Sequence, residues 1–118
     1  MAVYTAIPTG NSGLPFQDVA INTVMQSNNG YNVTGPATMT LPVASSVGDI
    51  IRVALVAGAS FTIAQNNFQS ITVLGGSTTI GTGGSIFANT VGAAVELECF
   101  AANLHWVLLS DQSNLTIT

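Results

Sequence analysis

Residues 95–99 read Val95-Glu96-Leu97-Glu98-Cys99, and residues 49–56 read Asp49-Ile50-Ile51-Arg52-Val53-Ala54-Leu55-Val56. The first stretch alternates with a period of two, which is the side-chain period of a strand and not of a helix. Val95, Leu97 and Cys99 point inward, and Glu96 and Glu98 point to the other face. The second stretch has the same period but is apolar on both faces, with Ile51, Val53 and Leu55 on one and Ile50, Arg52, Ala54 and Val56 on the other. Residues 103–110 repeat this, with Leu104, Trp106 and Leu108 opposite His105, Val107 and Leu109. An antiparallel sheet with one wet face alternates cleanly. Strands that are apolar on both sides need a second layer or a second subunit over them. Ile50, Ala54, Val56, Val107 and Leu109 are the surplus apolar positions, and so the candidate subunit interface.

Outward from these strands the same pattern recurs. Strands are predicted over 19–26, 31–33, 38–41, 49–56, 60–65, 69–74, 77–80, 85–88, 93–101, 103–110 and 115–118. Turn signals separate them, such as Asn28-Asn29-Gly30, Gly35-Pro36 and Gly75-Gly76. No stretch has helical periodicity. About nine to eleven short strands at this spacing indicate an all-β domain, an antiparallel sandwich or barrel over residues 19–118. The connections are too short for helical crossovers between parallel strands. Residues 1–18, rich in Pro, Gly and Asn, read as an extended N-terminal attachment arm.

The 118 residues carry one basic side chain, Arg52, and five acidic ones, giving 5% charged residues and a net charge of −4. Soluble domains average about 25% charged. The apolar fraction is 47%, yet no apolar run approaches the roughly 18 residues of a membrane-spanning helix. Residues 1–14 lack the regions of a secretory signal. Surface this poor in charge points to burial by neighbouring copies. A single arginine cannot neutralise several phosphates, which argues against nucleic acid. As the only cation, Arg52 is expected to pair across strands with Glu96 or Glu98.

The sequence offers no catalytic, cofactor or metal residues. His105 and Cys99 are each the only residue of their type, too few for a zinc site, and His105 reads as an ordinary strand histidine. Cys99 sits in an apolar run as a buried thiol. Glu96 and Glu98 project in parallel from one strand, which does not suit glycoside hydrolysis. Trp106 and Phe61 read as core. Tyr31 follows a turn signal and is the candidate surface contact for a ligand such as a host glycan.

One set of motifs has a familiar order. Thr40-Leu41-Pro42, Val47-Gly48-Asp49, Phe61-Thr62-Ile63-Ala64-Gln65-Asn66, Gln69-Ser70-Ile71, Thr78-Thr79-Ile80-Gly81, Gly84-Ser85-Ile86, Val95 to Cys99, Asn103 and Trp106-Val107 follow one another along the chain. Together they resemble the C-terminal β-domain of phage tail-fibre proteins and of related prophage and bacterial fibre-like surface proteins, over residues 30–118. The chain departs from that pattern at Phe68, where the family usually carries glycine. The resemblance implies a virion component, usually a homotrimer, on the particle surface or on a bacterial surface fibre. The arm would then dock on a larger virion or fibre protein. The chain is expected to be either a piece of a longer fibre or a complete small protein. Fibre tip, capsid decoration and a lectin-like module for host glycans are the functions that follow.

Overall fold

The computed structural model describes residues 13–110 and 114–118. The described chain is all-β and has twelve strands: β1 (Phe16–Val19), β2 (Thr23–Val24), β3 (Asn29–Val33), β4 (Ala37–Thr40), β5 (Ile50–Leu55), β6 (Phe61–Ala64), β7 (Ser70–Val73), β8 (Gly76–Ser77), β9 (Ser85–Ala88), β10 (Ala94–Ala101), β11 (His105–Leu108) and β12 (Leu115–Ile117). They form a seven-stranded sheet, β1-β3-β5-β10-β11-β7-β8, and a five-stranded sheet, β12-β9-β6-β4-β2. Neither sheet closes on itself. Residues 1–12 of the predicted arm lie outside the described residues; its last residues, 16–18, enter β1.

Both sheets are mixed, which corrects the antiparallel expectation. β1, β3 and β5 run parallel in the larger sheet, and so do β2, β4 and β6 in the smaller one; β7 and β11 are parallel as well. The physical reason is the path of the chain. From β1 to β6 each strand crosses to the opposite sheet, so the return trip between two parallel neighbours is itself a strand. No helix is needed to span a parallel connection when the other sheet supplies the crossover. The remaining pairs, β5 with β10, β10 with β11, β7 with β8, β6 with β9 and β9 with β12, are antiparallel.

The alternation that decided the class holds at the core. Ile51, Val53, Leu55, Val95, Leu97, Cys99, Trp106 and Leu108 are all buried from the larger sheet, against Met39, Phe61, Ile63 and Ile86 from the smaller. They belong to one continuous cluster. Burial of that apolar surface is the main favourable term in folding. The edge strands β1, β2, β8 and β12 have two to four residues each, which limits pairing with foreign strands.

Local corrections have local causes. The strand predicted over 19–26 divides into β1 and β2, because the chain changes sheets at 20–22. Asn28 takes the turn, with φ 63°, while Asn29 and Gly30 belong to β3. Gly30 lies under the ring of Phe16: a Cβ there would come within 2.3 Å of it. Leu104 is not in a strand with Trp106. It lies in the β10–β11 turn and is 41% exposed. The strand predicted over 77–80 shrinks to Gly76–Ser77.

Candidate functional site

The outer face of the larger sheet is laid out by strand register. One cross-strand row runs Ile50, Glu98, Val107, Thr72; the next places Arg52 beside Glu96; a third places Asn32, Ala54 and Ala94 side by side. Of the two expected partners, Arg52 pairs with Glu96, with Nε 3.5 Å from Oε1. Asp18, Arg52, Glu96 and Glu98 all lie on this face, so it carries most of the charge of the chain. The pair is bordered by Phe16, Ala54, Ala94 and Ser110, which line a shallow groove of about 190 Å³ with it. Ile50, Ala54 and Val107 are half-buried in the single chain. Val56 and Leu109 fall one residue past the ends of β5 and β11 and are 47% and 50% exposed. None of the five predicted interface residues is taken into the core.

The outer face of the smaller sheet differs. Its rows, Thr38-Thr62-Phe87-Thr116 and Thr40-Ala64-Ser85, carry no charge.

At the far edge of the larger sheet the fold brings Ser70 and His105 together, a contact that sequence spacing did not reveal. Ser70 Oγ lies 2.8 Å from His105 Nδ1, and the Phe100 ring stacks on the imidazole at 5.8 Å. A nucleophile needs a base that is itself oriented by a third group. Among the described residues, no carboxylate bonds to this histidine, so the pair reads as a bond between neighbouring strands. No group of three or more His, Cys, Asp or Glu among them is placed to hold a metal ion.

The loops 25–28, 41–49, 65–69, 78–84 and 102–104 gather at one end of the two sheets. Two buried glutamines tie most of them together. Gln65 Nε2 lies 2.8–2.9 Å from the carbonyl oxygens of Gln69, Thr79 and Gly81, and its Oε1 accepts the hydroxyl of Thr78. Gln69 donates to the carbonyls of Pro42 and Asn103 and accepts the N–H of Asn66. Asn66 donates in turn to the Leu41 carbonyl. Gly84 packs so closely here that a Cβ would lie 2.0 Å from the Thr79 oxygen and 2.6 Å from Gln65 Nε2. In the neighbouring loop Asp49 accepts the Ser46 N–H at 2.9 Å, which holds its carboxyl below the ordinary value of 3.8.

Two residues change role at this end. Tyr31 is 1% exposed, and its hydroxyl accepts the Gln26 N–H at 2.7 Å. It is a core residue and not the expected surface contact, because it shares the inward face of β3 with Val33. Phe68 is the exposed aromatic instead: it is 73% exposed and has φ 68°, a left-handed conformation that glycine adopts without penalty and a bulky residue rarely takes.

No protein-family model matches the chain, and no curated protein matches it significantly.

Proposed function

We propose that the chain is a non-enzymatic structural module of a phage virion, a trimeric fibre tip or a capsid fibre or decoration protein. In this reading the two sheets stack as a sandwich and three copies meet through the outer face of the larger one. The observation that carries it is the apolar border of the Arg52–Glu96 pair: Phe16, Ile50, Ala54, Val107 and Leu109 stay at least partly open to solvent in one chain. Such patches mark interfaces, and a charged fraction of only 5% over the chain favours contact between copies over life as a monomer. The arm, residues 1–18, would attach the domain to a larger virion or fibre protein. The ordered motifs from Thr40 to Val107 support a place on the particle surface, with a bacterial surface fibre as the variant of the same reading.

Light scattering on the purified chain at micromolar concentration tests this. The expected mass is ~36 kDa, three times the 12.0 kDa chain. A mass of one chain across the concentration range sinks the proposal.

A further inference from the structure

We infer that the loop end around Phe68 is a binding site for a neutral carbohydrate, and this inference stands whether or not the chain forms trimers. Phe68 holds a large aromatic ring in solvent on a left-handed backbone. That conformation is disfavoured for an L-residue, and such strain survives only where the surroundings impose it. Here they do. The Gln69 N–H reaches the Asn66 carbonyl at 3.2 Å, the Asn66 N–H reaches Gln69 Oε1 at 2.7 Å, and the Gly81 N–H reaches the Gln69 carbonyl at 2.8 Å. The ring is displayed from a fixed loop.

Two recesses adjoin this loop, and the ring lines the first of them. One, of about 510 Å³, is formed by Phe68 with Asn67, Ile80 and the 81–83 turn. The other, of about 460 Å³, shares Asn67 and Thr82 with it and continues past Asn66 to Val43 and Leu104. Both are open at the surface. The side chains of Asn67 and Thr82 make no hydrogen bond within the described chain, so an amide and a hydroxyl are free on the shared wall.

Charge selects the ligand class. Among the described residues, no charged side chain lines either recess, so none of them offers a phosphate or a carboxylate a counter-charge. A sugar ring matches what is present: its C–H face packs on the electron-rich face of an aromatic ring, and its hydroxyls pair with an amide and a hydroxyl that both donate and accept.

Saturation-transfer NMR with the full chain tests this, using glucose, galactose, mannose, N-acetylglucosamine and their short oligomers as probes. At least one sugar should receive saturation on one ring face and shift the signals of Phe68, Asn67 and Thr82. Phe68→Gly should weaken its binding by at least about tenfold, equivalent to about 1.4 kcal/mol. Its melting temperature should stay at or above that of the wild type, because glycine adopts this φ freely. The inference is overturned if no sugar in the panel binds, or if Phe68→Gly binds equally well. It is also overturned if Phe68→Gly lowers the molecular mass of the assembly, which would make Phe68 a contact between subunits.

Discussion

The outer face of the larger sheet and the loop end are held in shape by different means. On the face, position follows from the ladder: Arg52 lies beside Glu96, and Glu98 lies between Ile50 and Val107, because β5, β10 and β11 pair in that register. At the loop end no ladder exists. Shape comes from Gln65, Gln69 and Asn66, whose amides bind carbonyls of loops distant in sequence. The face tolerates loss of a side chain because the backbone keeps its geometry. The loop end depends more on its side chains, because there only scattered backbone bonds, such as the Gly81 N–H to the Gln69 carbonyl, support the loops.

The largest effect that this contrast predicts is at Gln65. Gln65→Leu leaves the Thr79 carbonyl and the Thr78 O–H without a partner, while the Gln69 and Gly81 carbonyls keep the Gly81 and Gly84 N–H groups; each orphaned buried group costs about 1–3 kcal/mol. Urea unfolding should show a loss of about 4 kcal/mol. Hydrogen exchange in the variant should rise in 78–84 before it rises in β5 and β10. Uniform exchange across both regions would break the contrast.

Arg52→Ala on the face should cost far less. The partners are 42% and 33% exposed, and pairs of this kind contribute about 0.5 kcal/mol or less. A loss above about 2 kcal/mol by the same unfolding measurement would show that the face, too, depends on individual side chains.

Asp49 gives the smallest effect and a distinctive pH signature. Its folded carboxyl is held below the ordinary value of 3.8, first by the Ser46 N–H and then by groups that include Asn28. The ionised form is therefore favoured in the folded state. The resulting stability is present above pH 3.8 and disappears as the pH falls through the lower, folded value. Asp49→Asn should therefore be slightly less stable than wild type near pH 6, with the gap closing below pH 4. A gap that widens on acidification would reverse the assignment.

The two regions were unequally legible in the sequence. Period-two alternation placed Ile51, Val53, Leu55, Val95, Leu97, Cys99 and Trp106 inside, and the shortage of cations matched Arg52 with Glu96 or Glu98, between which the strand register decides. Strand direction was not legible, because hydropathy has the same period in parallel and antiparallel ladders. The loop end was missed because polar residues between strands read as solvated. One signal was present, since Gln65 continues the inward positions of Phe61 and Ile63 and so had to be buried with partners. Tyr31 was misread for a related reason: the nearby Asn-Asn-Gly turn signal outweighed its shared parity with Val33.

The central claim is that the outer face of the larger sheet joins the subunits, and sedimentation equilibrium of the wild type beside the double variant Val107→Asp, Leu109→Asp tests it most directly. A trimer of ~36 kDa is expected for the wild type, three times the 12.0 kDa chain, and a folded monomer for the variant, since neither side chain belongs to the core and added charge on this face opposes contact between copies. A wild-type monomer, or a variant that keeps the wild-type mass, would contradict it.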